Sequence, residues 1–537
     1  MIDVILRNGT LFDGSGKSPS VGDVALKGDT VVSVGSPVAG EGRIEIDAKG
    51  LAVCPGFINM LSWATESLLY DGRSMSDIHQ GVTLEVFGEG RSMGPLTDRM
   101  KRESQERQDD FRYDIEWTTL GEYLQHLEDR GVCPNVASFV GATTLRIHEI
   151  GYENRPPSKR EMIRMEALVR EAMEEGALGV GSSLIYTPAA FAATEELINL
   201  SKAAAPYSGL YITHLRSEAN RLLEGVEEVI TIAREAGIRA EIYHLKAAGP
   251  KNHSKLEAVM ERIETARKEG LKITANMYPY TAGATALDTT MPPWVQEGGL
   301  KEWIGRLKTP SVRERVIREM RSNSEDWENL LALAGAENIV LGGFKNPDLR
   351  DLVGKTLAEV AGKRGVSPEE TAMDLVVEDH SPVTATFFLM SEENVRRKLG
   401  LDWVSFGSDA ESMAAEGKFL TRHPHPRAYG TFARVLGRYV RDERIVSLEE
   451  AIRRLTSLPA ENLGLTDRGR LTEGYKADVV VFDPGAVRDN ATYEDPHQYS
   501  TGVVHVFVNG VQVLKDGRHT GALPGRFVRG PGAMSLS

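Results

Sequence analysis

The spacing of apolar residues changes twice along this chain. The first fifty or so residues carry short β-branched runs, Val4–Leu6, Asp23–Lys27 and Val31–Val34, with Gly28-Asp29 as a hairpin turn between two of them. The last seventy or so behave the same way. Ala477–Phe482 and Val503–Val508 predict strands, and Asn509-Gly510 is a strong hairpin signal. Two β-rich ends around a different middle predict one small β domain assembled from both termini. In the middle the period alternates between strand and helix. The run Gly209–Thr213 leads to His214, and Leu222, Leu223, Val226, Val229, Ile230 and Ala233 then repeat at helical spacing up to Gly237. A strand Ile238–Tyr243 leads to His244. A second helix follows, opened by Ser254 and closed by Gly270, and then a strand Leu271–Asn276. This βαβαβ order predicts a parallel sheet with covering helices. Its repetition over about 400 residues favours a closed (β/α)8 TIM barrel over an open doubly wound sheet, and no Gly-x-Gly-x-x-Gly follows its first strand. The helix Ser447–Leu455, with a capping box Ser447-Leu448-Glu449-Glu450, ends the barrel part.

The expected division is 1–54 and 466–537 for the two halves of the β domain and 55–465 for the barrel. The less regular stretch 291–345 is an insertion after the sixth strand.

A chain of 537 residues is too long for one compact core, in keeping with a large domain and a smaller one. A net charge of −14 argues against nucleic acid or an anionic membrane as partner. Cys54 and Cys133 are the only cysteines, so neither a disulfide framework nor a four-cysteine zinc site is available. The segment Met1–Arg7 reads as a strand rather than a signal peptide, and no apolar stretch reaches transmembrane length. A cytoplasmic location is the expectation.

His214 and His244 lie thirty residues apart, one βα repeat. That spacing puts both at the C-terminal ends of neighbouring parallel strands, the face where barrel active sites lie, and two such imidazoles can share one metal ion. The competing reading is two core histidines, each bonded to a carbonyl. Asp409 ends the run Trp403–Gly407 in Gly407-Ser408-Asp409. Beside a metal, a carboxylate there can move a proton between water and a leaving amine; the alternative is a helix N-cap.

Several stretches, in this order, resemble the amidohydrolase superfamily and above all its N-acyl-D-amino-acid deacylase (D-aminoacylase) branch. They are Pro55-Gly56-Phe57-Ile58, Gly81-Val82-Thr83, Gly176-Ala177-Leu178-Gly179, Thr213-His214, His244-Leu245-Lys246, Tyr278–Gly283, Gly407-Ser408-Asp409, His425-Pro426-Arg427 and Gly474-x-x-Ala477-Asp478. The resemblance spans nearly the whole chain. It implies a (β/α)8 barrel with a small β-sandwich built from both termini. It also implies a hydrolase of non-peptide amide bonds, acting on a small molecule that carries a carboxylate, with a homo-oligomer left open. By position, it makes His214 and His244 metal ligands, Asp409 the catalytic aspartate, and Lys246, Tyr278 and Arg427 the groups that hold the substrate carboxylate. A Lys–Arg pair suits that anion.

The departures carry as much information. Leu61 and Trp63, in Asn59-Met60-Leu61-Ser62-Trp63, replace the His-x-His pair of the branch, whose usual role is a weaker second metal. Trp63 is expected to fill that space with apolar bulk. Ala142 replaces a common histidine, and Ala284 a small hydroxyl residue near the substrate. The turn Phe87-Gly88-Glu89-Gly90 stands where the branch offers a cysteine ligand. Glu89 is the expected replacement and Glu85 the weaker candidate; a solvated turn glutamate is the competing reading. Glu89, His214 and His244 would then hold one divalent metal, zinc by default, with a fourth place for water. Ser182, Ser183 and Tyr186 are expected to line the pocket without chemical roles. Two alternatives remain open: the same fold acting on a dipeptide, cyclic amide or lactone, and a silent barrel that works as a binding or scaffold protein.

Overall fold

The computed structural model describes residues 2–108, 110–322 and 326–533. The outermost positions of the terminal halves, 1 and 534–537, and residues 323–325 of the expected insertion lie outside the described residues. The two ends of the chain do meet. Strands from the first 55 residues and strands from Val479 onward form one nine-stranded sheet. Its seam is Ala52–Pro55, which runs parallel to Ile2–Leu11 on one side and antiparallel to Val479–Phe482 on the other, with Cys54 opposite Val480. Both expected hairpins form. Lys27 pairs with Thr30 around Gly28-Asp29, and Val508 pairs with Val511 around Asn509-Gly510. Asn509 and Gly510 both take positive φ, 48° and 79°, as a two-residue hairpin with right-twisted strands requires. The two turns are stacked: a Cβ on Gly510 would lie 1.9 Å from the Gly28 carbonyl oxygen.

Inside this frame run the parallel strands, labelled here β1 (Phe57–Asn59), β2 (Val82–Phe87), β3 (Asn135–Ser138, continued by Val140–Gly141), β4 (Gly179–Ser183), β5 (Leu210–His214), β6 (Arg239–Ile242), β7 (Ile273–Met277) and β8 (Val404–Phe406). One sheet joins β1, β2 and β3; another joins the continuation of β3 to β4, β5, β6, β7 and β8 in that order. Their residues are almost uniformly buried, the continuous apolar signature of parallel strands covered on both faces. Helix α1 (Leu222–Ala236) buries Leu222, Val226, Val229, Ile230 and Ala233 and ends on Gly237 at φ 62°. Helix α2 (Leu256–Lys268) starts later than expected, after the 3₁₀ turn Pro250–Lys255 that takes in Ser254. Helix α3 (Leu448–Leu455) is capped by the Ser447 hydroxyl, which accepts from Glu450 N–H. The Glu450 carboxylate instead accepts from Arg453, at 2.7 Å.

The irregular stretch follows β7, not the sixth strand. Between β7 and β8, strands Ala282–Ala286, Thr384–Phe388 and Ile339–Gly343 form an antiparallel sheet with a core of its own around Leu287, Val295, Trp303, Leu341, Leu357 and Val376. Ala219 and Ala248, from the loops after β5 and β6, join that core, so this layer lies over the strand ends. Among the described residues no helix is long and apolar enough to cross a membrane.

A buried polar knot ties the terminal sheet to β3. The Asp478 carboxylate pairs with Arg468, and it accepts from Asn509 N–H at 2.8 Å and from the Asn135 amide at 3.2 Å. Asn135 in turn accepts from the Asn509 amide at 2.8 Å. Asp478→Ala would leave a buried guanidinium without its anion, a change of roughly 3–5 kcal/mol. A clear drop in melting temperature is expected by calorimetry; an unchanged melting curve would mean the knot does not join the two parts.

Candidate metal centre and active site

The C-terminal ends of the parallel strands supply the polar groups. His214 is the last residue of β5, and His244 lies two residues past β6, whose Ile242 sits in register with Thr213. Glu89 follows β2 in a turn between two glycines. A Cβ on Gly88 would lie 2.4 Å from the Phe139 carbonyl oxygen, and one on Gly90 would lie 2.5 Å from Ser183 Cβ. Only the middle residue of that turn has room for a side chain. Glu89 Oε1 lies 3.1 Å from His214 Nδ1 and 3.1 Å from His244 Nε2, and all three residues are buried. Their candidate ligand atoms lie within 4.8 Å of one another. Glu85 points elsewhere: it accepts from the Ser62 and Ser74 hydroxyls, each at 2.6 Å. Burial, with the nearby Asp77 carboxylate, pushes Glu85 up to about 8.

Glu218 was not anticipated from the sequence. Its carboxylate takes the outer nitrogen of each imidazole: Oε1 is 3.1 Å from His244 Nδ1 and Oε2 is 3.4 Å from His214 Nε2. The second contact is an ion-pair approach outside hydrogen-bonding geometry, which leaves His214 Nε2 without a hydrogen bond. This is the arrangement that orients histidine ligands, a carboxylate on the nitrogen that faces away from the metal. Its one sequence signal was its position four residues after His214.

The donor set fits a divalent cation. Two imidazoles and one carboxylate oxygen converge, and their remaining face opens on the cavity. The charges agree. Burial resists ionisation of Glu89, but hydrogen bonds from the two histidines outweigh it and hold its carboxyl well below the usual range. Burial and Lys246 resist a proton on His244, yet Glu218 and Asp409 prevail and push it up to about 9. The proton on His244 thus stands where a metal cation would sit.

Across the mouth, Asp409 follows β8 with a φ of 51°, and His244 has a φ of 36°. Such values are uncommon for residues other than glycine. No helix starts at Asp409; the next helical turn begins at Gly417, so the side chain caps nothing. Oδ2 pairs with Arg427 Nη1 at 2.7 Å, and Oδ1 accepts from the Trp63 indole N–H at 3.1 Å. Burial raises the Asp409 pKa, and Arg427 only partly offsets it. Lys246 Nζ donates to Glu218 at 2.6 and 2.8 Å and lies 2.6 Å from His244 Nδ1. Arg427 also donates to the Ala284 carbonyl at 3.1 Å and stacks 4.5 Å from the Tyr278 ring centre. Both cations expected at a substrate carboxylate are therefore already paired with internal carboxylates.

These groups face a cavity of about 600 Å³, which Ser183, Tyr186, Ala284, Trp303, Phe387 and Leu389 also line. Ser182 does not line it. Successive residues of β4 point to opposite faces, and the Ser182 hydroxyl bonds Thr213 and Tyr211 within the sheet. Trp63 is half-buried and polar in use, not simple bulk: its indole N–H reaches Glu89 Oε2 at 3.0 Å as well as Asp409.

Comparison with known proteins agrees with this geometry. Residues 352–514 match the Amidohydrolase family model. The chain is 33% identical to an N-acyl-D-aspartate deacylase of Alcaligenes xylosoxydans xylosoxydans, over 97% of this chain and 93% of that one. A D-aminoacylase studied for one-metal activation and second-metal attenuation of its binuclear centre superposes with a TM-score of 0.82. It is 31% identical, with 98% of this chain and 100% of that one covered. An N-acyl-D-glutamate deacylase of Bordetella bronchiseptica, complexed with zinc and a phosphonate inhibitor, superposes at 0.79 with 28% identity, covering 98% and 99%. An α/β fold with metal-ligating side chains at parallel strand ends is that of the amidohydrolases, hydrolases of amide bonds. Within them, this chain belongs to the N-acyl-D-amino-acid deacylase branch, without the His-x-His pair.

Glu89→Ala is expected to strip bound metal on dialysis, whereas Glu85→Gln keeps it; elemental analysis of the purified variants decides. Glu218→Gln should weaken metal affinity about 10–100-fold in a chelator competition. Full metal retention in Glu89→Ala would move the third ligand elsewhere.

Proposed function

We propose that this protein hydrolyses N-acyl amino acids of D configuration at a single divalent metal, zinc by the chemistry of its ligands. The observation that carries the reading is the convergence of Glu89, His214 and His244 opposite the Asp409–Arg427 pair in one cavity. The names of the relatives supply the substrate class. A closed (β/α)8 barrel, with a small β-sandwich from segments 1–54 and 466–537 around 55–465, is the architecture we infer. Eight parallel strands and the bond from Met60 N–H to the Phe406 carbonyl, 3.2 Å, between the ends of β1 and β8, support it.

Glu89, His214 and His244 would hold the cation. When bound, it supplies a Lewis acid that polarises the amide carbonyl and makes water more acidic. Asp409 accepts the proton from the attacking water at one carboxylate oxygen and returns it to the leaving amine nitrogen. Its raised pKa suits that double duty. Lys246, Tyr278 and Arg427 bind the substrate carboxylate. Arg427 and Lys246, held by Asp409 and Glu218 in the free enzyme, are cations that a substrate can share rather than groups it must desolvate.

A screen of N-acetyl-D- and N-acetyl-L-amino acids with metal analysis of the same sample tests the reading. Turnover of the D series at about one metal per chain is expected; absence of both would leave a binding protein. Asp409→Asn should lower kcat by about 10²–10⁴-fold with metal still bound, and unchanged turnover would remove it from proton transfer. The ionised aspartate is the active form, so activity should fall as pH drops through a pKa above the ordinary carboxylate range. Arg427, with His244 and Lys246, holds that value down against burial and Glu89. Arg427→Ala should therefore raise KM for carboxylate substrates and move the acidic limb of the kcat/KM profile to higher pH. An unmoved limb would dissociate Asp409 from it.

A further inference from the structure

Glu89 and Asp409 are both buried, belong to different strand ends, and point carboxylate oxygens at the same place. Neither has its other partners there. Glu89 Oε1 is taken by the two histidines, and Asp409 Oδ2 by Arg427. The remaining oxygens, Glu89 Oε2 and Asp409 Oδ1, would repel each other across a low-dielectric gap unless something positive stood between them. A second cation bridging two carboxylates is one solution. This chain fills the gap with the Trp63 indole N–H, 3.0 Å from the first oxygen and 3.1 Å from the second. The donor is firmly placed. Trp63 N–H bonds the Ala410 carbonyl at 2.9 Å, Ser62 N–H bonds the Val86 carbonyl at 2.9 Å, and Asp409 N–H bonds the Leu61 carbonyl at 2.8 Å. The segment carrying Trp63 is thus laced to both the strand that bears Glu89 and the one that bears Asp409. Leu61 closes the layer beneath, fully buried against Gly407, where a Cβ would lie 2.9 Å from Leu61 Cβ.

We propose that Trp63 is a positioning residue that does the work of a second metal: its one N–H, shared between Glu89 and Asp409, sets the ligand and the proton carrier at a fixed separation, and its ring keeps a second cation out. The proposal rests on the one-metal deacylase reading. It makes the enzyme one-metal by construction. The D-aminoacylase relative, by contrast, is described as attenuated by its second metal. An indole N–H also cannot be displaced by chelators, so the spacing of the two carboxylates persists when the primary ion is removed.

The test compares wild type, Trp63→Phe and Trp63→Ala by zinc titration, chelator competition and steady-state kinetics, with melting curves as a folding control. Trp63→Phe keeps the ring bulk and loses the donor. It should bind one zinc with about 10–100-fold lower affinity and show a similar fall in kcat with KM little changed. Trp63→Ala opens the gap and should accept a second zinc, with turnover now depressed by excess metal. Wild type should bind one equivalent and stay insensitive to excess zinc. Two equivalents in wild type, or Trp63→Phe with unaltered metal affinity and kcat, would overturn the role of Trp63 and leave the deacylase reading intact. Wild type with neither metal nor hydrolysis would sink both.

Discussion

The structure turns on a carboxylate that has been taken out of water. Glu89 sits between His214 and His244 at 3.1 Å from each, and a buried carboxylate persists only where positive charge or donors meet it. Everything around it answers that requirement. The histidines meet one oxygen and Trp63 meets the other, while Glu218 and Lys246 stand behind His244. Remove the carboxylate and two imidazoles face each other with nothing to share; remove the histidines and the carboxylate is stranded. A divalent cation resolves the same electrostatic problem more completely than hydrogen bonds from the two imidazoles do, which is why the centre reads as a metal site.

Backbone geometry serves the same end. Parallel strands deliver side chains to one face, but the residue just past a strand end has to turn to look into the mouth. His244 and Asp409 do so with positive φ, and Glu89 does so between two glycines whose Cβ positions are blocked by Phe139 and Ser183. Strained conformations of this kind persist where surrounding contacts over-determine them. Here those contacts are the Asn276 amide oxygen, which accepts from His244 N–H at 2.8 Å, and the Leu61 carbonyl, which accepts from Asp409 N–H at 2.8 Å. Pairing is economical as well. Lys246 and Arg427 are held ready by Glu218 and Asp409 rather than exposed as free charges.

Much of this was legible along the chain. The thirty-residue interval between His214 and His244 is one strand–helix–strand repeat, and it places both at neighbouring strand ends whatever the loops do. The β-rich termini with their turn signals at Gly28-Asp29 and Asn509-Gly510 announced a shared sheet. The family resemblance flagged Glu89, because the turn Phe87–Gly90 stands where the branch offers a metal ligand. Other features were not legible, for physical reasons. Seven parallel strands, not six, precede the irregular stretch, so the position of the insertion slipped by one. Ser254 reads as a cap, yet a 3₁₀ turn absorbs it. Glu85 and Glu89 are both acidic residues near one strand end, and only their partners separate them: serine hydroxyls for one, imidazoles for the other.

Local order determines element type, because the period of apolar residues and the chemistry of turns act over a few positions. By itself, then, the sequence determined the alternation of strands and helices, the union of the two termini, and the strand-end histidines with Asp409. Tertiary structure alone decided what meets what across the mouth. Glu218 lies four residues from His214 and becomes the group behind both histidines only because the loop after β5 folds back over β6. Trp63, which along the chain looks like apolar bulk in place of a lost ligand, proves to be a hydrogen-bond donor between two carboxylates more than twenty and three hundred residues away. Direction is the reason: hydrogen bonds and ion pairs depend on orientation at about 3 Å, and no periodicity in one dimension encodes it.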